Sequence, residues 1–230
     1  MQQNQNIFER LVTGVIPPAF FVIIMWIVYG YQSLHGDLGI YGVLPRHLSG
    51  LKGILFSPFL HGDLDHLLSN TFPMFVLGTC LLWFYRSIWF RVFATIFFFA
   101  GIGLWMGGRE SYHIGASGLV YGLAAFLIVS GIIRKEAKLV AISLLMVFLY
   151  GGLIWGIFPV LIRVSFEAHL FGMLSGIIAA YLFRHDGREP KQLYKWEQEE
   201  INEMMDEEAL RNEKVEKIIY HYTRKKESEN

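Results

Sequence analysis

Four side chains in this sequence have the types and spacing to attack an amide carbonyl. They are Ser117 in "HIGASGLVYG", His169 in "SFEAHLFG", and His66 with Asn70 in "HGDLDHLLSN". Serine is a weak nucleophile unaided and needs a base within reach, for which His169 is the candidate. Attack on an amide creates an oxyanion that wants hydrogen-bond donors already in position. Ser117 stands at an expected helix start, where backbone N–H groups lack intrahelical partners and the helix dipole favours negative charge. His66 and Asn70 are four residues apart, so they share one helix face and can add side-chain donors to the same spot.

The elements that must position them are membrane helices. Of the 230 residues 53% are hydrophobic and 17% charged, where a soluble domain carries about a quarter charged. Charges are sparse from Val15 to Phe183 and dense from Arg184 to Asn230. That contrast predicts a membrane domain at 15–185, between a short N-terminal segment at 1–14 and a soluble tail at 186–230. The zero net charge gives no basic field for nucleic acid, and the single Cys80 excludes a disulfide framework. The first apolar run has one basic residue before it, Arg10 offset by Glu9, and no small-residue cleavage site after it. It reads as an uncleaved first helix rather than a signal peptide.

Hydropathy predicts six spans, at 15–31, 63–84, 88–106, 116–133, 139–162 and 165–183. The fifth is interrupted by Gly151, Gly152, Gly156 and Pro159. Segment 32–62 is apolar enough to be a partly embedded outer loop, and 186–230 a solvated helix or a disordered tail. One set of loop ends carries Arg10, Arg86, Arg91, Arg134, Lys135, Lys138, Arg184, Arg188, Lys191 and Lys195. The other carries only Arg46, Lys52, Arg109 and Arg163. This asymmetry predicts both termini in the cytoplasm. The second, fourth and sixth spans then enter from outside, and His66, Asn70, Ser117 and His169 all fall in their first two turns. At ~1.5 Å per residue the four lie within roughly 10 Å of the outer face. Gly118 and Gly122, like Gly172 and Gly176, have the small-xxx-small spacing that lets membrane helices pack backbone to backbone.

In this order, "HGDLDHLLSN", "GASGLVYG" and "EAHLFGMLSG" resemble the three signatures of rhomboid intramembrane serine proteases. The resemblance covers the whole six-span region and leaves only the tail outside. It implies an all-α polytopic bundle of six transmembrane helices, with Ser117 as nucleophile, His169 as general base and no third acid. His66, Asn70 and the Ser117 N–H would form the oxyanion hole. Tyr121 matches a family tyrosine packed against the histidine, and His61 a histidine near the water-filled cavity. The supporting glycines are Gly115, Gly118, Gly172 and Gly176. The implied partners are transmembrane protein substrates, cut near their outer ends, and the lipid bilayer, with the fifth helix and its following loop gating access. No cofactor and no metal is expected, and the implied location is a bacterial inner membrane. In one respect the chain departs from the family: a Trp-Arg pair common in the first outer loop aligns with Lys52 and Gly53, which leaves open how that loop is anchored.

Each polar residue taken singly would be an ordinary interhelical hydrogen-bonding group, and His61 reads equally as an interfacial histidine. His35, His47 and His113 are expected in loops, with His113 bordering the site. Asp63 and Asp65 are expected as helix N-cap and first-turn acid. Glu167, two residues before His169, does not share its helix face and suits the first turn of the sixth span. Rival functions are a client-binding relative without proteolytic activity, a haem or metal protein using the histidines, and a transporter. Such non-proteolytic relatives lack the serine or the histidine, no HExxH is present, and neither paired broken helices nor mid-membrane charges appear.

Overall fold

The computed structural model describes residues 2–149, 156, 158, 165–186 and 195–228. The chain folds as two compact units, residues 1–188 and 189–230. The first contains α1 (Gln2–His35), α2 (Gly53–Phe56), α3 (Leu64–Phe84), α4 (Trp89–Gly107), α5 (Ser117–Arg134), α6 (Ala137–Leu149) and α7 (Phe166–Leu182). The second contains α8 (Lys195–Ser228). Among the described residues there is no strand beyond one bridge, between Val43 and His113.

Among the described residues, four helices are long and apolar enough to cross a membrane: Val12–His35 within α1, then α3, α4 and α5. Helix α7 is apolar but has 17 residues. The sequence expectation of six spans therefore meets four helices of full length and one shorter. The expected fifth span, 139–162, is seen as far as Leu149 in α6. Its remainder, except Gly156 and Phe158, lies outside the described residues. The first helix is longer than expected at both ends and carries Pro17 and Pro18 inside it. Gly78 of α3 packs against Pro18, with room for little more than a hydrogen.

Local chemistry sets where the helices start and stop. Asp63 caps α3 in extended conformation, and its carboxylate accepts the His66 N–H at 2.7 Å. Asp65 follows in the first turn, as expected. The helix continues through Pro73 to Phe84. Ser165 caps α7 by accepting the Ala168 N–H, and Arg134 satisfies the other end of α7 by donating to the Phe183 carbonyl at 2.9 Å. Helix α5 is the core: every residue from Leu119 to Leu127 is buried.

Glycines decide how α5 meets α7. A side chain at Gly172 would collide with the Gly118 backbone, and one at Gly176 with the backbone of Gly122 and Phe126. The two small-xxx-small pairs face each other, as their spacing predicts. On the other side of α7, the Phe171 ring fills the space over Gly103 and Gly107 of α4.

The segment between α1 and α3 is a chain of short helices, with 3-10 turns at Gly39–Tyr41, Leu48–Gly50 and Ser57–Phe59 around α2. Leu48, Leu55 and Phe56 point outward while the backbone is tied inward. The Arg46 side chain donates to the Gly108 carbonyl at 2.6 Å, and the Trp105 indole to the His47 carbonyl at 2.9 Å. Val43 and His113 exchange both backbone hydrogen bonds at 2.9 Å. These bonds answer how a loop with Lys52 and Gly53 is held. Gly53 itself is needed there, because a side chain would strike the Gly42–Val43 backbone. The Lys52 ammonium sits 4.6 Å over the Tyr41 ring.

The glycine contact generates a test. Gly176→Val should destabilise the protein by about 1–3 kcal/mol through overpacking. Gly30→Ala, on an open face of α1, should be neutral or slightly stabilising. Thermal melts in detergent compare them, and equal midpoints would refute the close contact.

Candidate active site

Ser117 is the first residue of α5, and its N-cap Ala116 offers no side-chain cap. Its N–H therefore has no carbonyl of a preceding turn to bond. Gly115, two residues earlier, has φ +110°, and any side chain there would meet the His66 ring. Only glycine combines that backbone with that clearance. The Gly115 N–H donates to the Ser57 carbonyl at 2.8 Å, which pins the serine's own loop to the segment between α1 and α3.

His169 lies in the first turn of α7, buried, with its Nε2 2.8 Å from the Ser117 Oγ. Its Nδ1 is 2.8 Å from the Gly156 carbonyl oxygen. A carbonyl only accepts, so Nδ1 carries the proton and Nε2 offers its lone pair to the serine hydroxyl. A backbone carbonyl thus holds the ring in the tautomer that a third acidic side chain would otherwise select. The Tyr121 ring stacks on the imidazole, centroids 4.1 Å apart and planes within 9°. Tyr121 is one turn below Ser117 on α5, so the ring that receives the proton is clamped in plane.

The remaining expected residues cluster around this pair. The His66 ring packs against Gly115. Asn70, buried one turn further along α3, donates one amide hydrogen to the His66 carbonyl at 2.9 Å. That bond fixes the amide and leaves its second hydrogen available. His61 packs edge-on against His66 at 5.0 Å between centroids, and Gln32 of α1 brackets its backbone, the amide bonding both the His61 carbonyl and N–H at 3.4 and 3.5 Å. A small, mainly apolar cleft between α2, α4 and the start of α5 is lined by Ile54, Pro58, Phe97, Leu104, Gly115 and Gly118. Among the described residues, no group of three or more His, Cys, Asp or Glu is arranged to hold a metal.

Glu167 does not touch His169. It is buried in the first turn of α7, with its carboxylate 3.5 Å from the Arg109 guanidinium. His113, expected as a loop residue bordering the site, is a buried clip. Its Nδ1 is 2.6 Å from the Ser165 hydroxyl and its Nε2 3.0 Å from the Arg109 carbonyl. The clip joins the N-cap of α7 to the loop that leads into Ser117. Burial, the largest cause, holds its pKa below the ordinary histidine value.

Two partners of the site were not read from the sequence: the Gly156 carbonyl and the His113–Ser165 bond. The first had a signal, the glycines that interrupt the fifth span. Broken helix inside a membrane frees carbonyls that must find donors.

An apolar helical bundle with four helices of membrane-spanning length among the described residues, holding a half-buried serine within hydrogen-bonding distance of a buried histidine, defines an integral membrane protein. Residues 49–186 match the family model of the Rhomboid domain, and the chain belongs to the rhomboid family. An uncharacterized protein of Mycobacterium tuberculosis (strain H37Rv) is 36% identical over 196 residues, spanning 80% of this chain and 81% of its own length. An uncharacterized protein of Mycobacterium leprae is 34% identical over 194 residues, spanning 80% and 76%.

His61, in the loop before α3, generates a pH prediction. Burial, with His66 beside it, lowers its pKa from 6.5 to about 4, against smaller opposing pulls from the Phe59 carbonyl and Asp63. The folded state therefore binds fewer protons than the unfolded state between these values, and stability falls as pH drops through 6.5 toward 4. The loss should reach on the order of 2 kcal/mol by pH 4.5. His61→Gln should flatten melting midpoints between pH 7.5 and 5 relative to wild type, and an unchanged slope would assign the effect elsewhere.

Proposed function

We propose that this protein is an intramembrane serine endopeptidase that cleaves transmembrane substrates near the outer membrane face. The observation that carries the reading is the Ser117 Oγ–His169 Nε2 contact of 2.8 Å, with the opposite ring nitrogen committed to Gly156. In this reading the chain crosses the membrane six times, with both termini in the cytoplasm of a bacterial cell.

As Ser117 Oγ attacks the scissile carbonyl carbon, its proton passes to His169 Nε2. The imidazolium keeps its Nδ1 hydrogen on the Gly156 carbonyl, which stabilises the positive ring where a carboxylate is absent. The carbonyl oxygen, now negative, accepts hydrogen bonds from the Ser117 N–H, the His66 ring and the free hydrogen of the Asn70 amide. Collapse expels the amine, which takes the proton from His169 and leaves an acyl-enzyme. Water enters, His169 removes its proton, and the ester on Ser117 is hydrolysed. A helical substrate shields its carbonyls in its own hydrogen bonds, so small and helix-breaking residues near the scissile bond should favour cleavage.

A fluorophosphonate probe on detergent-purified protein tests the nucleophile. Wild type should label, and Ser117→Ala and His169→Ala should each lose at least about a thousandfold in labelling rate. A folded wild type that neither labels nor cuts a reporter span would instead favour a client-binding relative. Cleavage of a reporter span tests the donors and the clamp. Asn70→Ala should slow turnover about 10- to 1,000-fold. Tyr121→Phe, which keeps the stacked face, should stay within a few-fold of wild type, whereas Tyr121→Ala should fall about tenfold or more. Indifference to helix-breakers in that reporter would refute the specificity.

A further inference from the structure

Helix α8 is a unit of its own, and at ~1.5 Å per residue its 34 residues extend about 50 Å. Met204, Val215 and Ile218 on it are 58%, 48% and 67% exposed. Counted alternately by three and four from Ile201, the helix reads Ile201, Met204, Glu208, Arg211, Val215, Ile218. That is a coiled-coil seam, apolar toward both ends, with one acid and one base at its middle. Charge is also segregated along the helix. Residues 196–210 hold seven acids and no lysine or arginine, and residues 211–226 hold six lysines and arginines against two acids.

We propose that α8 is a self-association element, in which two copies of this chain pair antiparallel along this seam. The antiparallel register sets Glu208 against Arg211 of the second copy, Met204 against its Val215 and Ile201 against its Ile218. The flanking Glu207 then meets Lys214. A parallel pair would stack Glu208 on Glu208 and Arg211 on Arg211, and lay acidic half on acidic half. The central ion pair is the kind of polar seam position that specifies register and direction. Glu213 and Lys217 already pair at 2.6 Å within the helix, but intrahelical pairs of this kind account neither for the apolar seam nor for the segregation. The acidic half argues against a face built for anionic lipid, which calls for a basic one.

The test uses the full chain with Cys80→Ser as background. A chain carrying Met204→Cys is co-expressed with a differently tagged chain carrying Val215→Cys, and both are mildly oxidised in detergent and in bilayer discs. The expected product is the mixed disulfide, about tenfold or more in excess over either self-pair. Met204→Cys self-pairs in excess would overturn the antiparallel direction. A monomeric mass with no cross-link would overturn association, and a monomer captured by anionic vesicles through α8 would assign the face to lipid. Glu208→Arg and Arg211→Glu should each weaken the dimer about tenfold, as like charges meet in the seam. Co-expressed, the two variants should restore it as a mixed dimer. Failure of the mixture to associate, with the membrane unit's melting unchanged, would refute the central pair.

Discussion

Everything at the site depends on the contact between α5 and α7 without side chains. Gly118 faces Gly172, Gly122 faces Gly176, and no Cβ fits at either residue of α7. In a membrane no hydrophobic force drives two apolar helices together, so van der Waals contact must do the work, and it grows as backbones approach. The same approach brings a residue in the first turn of each helix within hydrogen-bonding distance. The Ser117–His169 bond is thus a by-product of how two helices close on each other.

The second constraint is that buried polar groups favour partners. Most of those around the site have one, although both His61 ring nitrogens and one Glu167 carboxylate oxygen do not. His169 meets a hydroxyl on one side and a carbonyl on the other. Asn70 is held by the His66 carbonyl, and Glu167 by Arg109. His113 joins the N-cap of α7 to the loop before α5. Where a buried charge or amide without a partner would cost several kcal/mol, each partnered group instead fixes a backbone segment. These polar residues therefore position the site as much as they line it.

The segment between α1 and α3 shows how a loop without the expected anchoring pair is held. Lys52 and Gly53 stand where the resemblance in sequence led us to expect a Trp-Arg pair, and the segment is instead tied down by an arginine and a tryptophan at other positions. Here they are Arg46, bonded to the Gly108 carbonyl, and Trp105, bonded to the His47 carbonyl. The bonds cross from the loop to the end of α4, a pairing that no reading of local spacing could supply.

What the residues alone determined is whatever depends on one helix at a time. Run length and apolarity gave α1, α3, α4, α5 and the shorter α7, Asp63 the start of α3, and the i, i+4 spacing the shared face of His66 and Asn70. Spacing also marked Gly118, Gly122, Gly172 and Gly176 as packing positions, depth and chemistry pointed to Ser117 and His169, and the family resemblance added Tyr121 and His61. The short helices between α1 and α3 were legible only as an apolar loop, because their geometry comes from bonds to α4 and to the loop before α5. The tertiary structure alone decided which partner each polar group takes: Gly156 rather than an acid for His169, Arg109 for Glu167, Ser165 for His113. The reason is that helix length and face are set by neighbours a few residues away, whereas these bonds join atoms whose nearness exists only after the helices have packed.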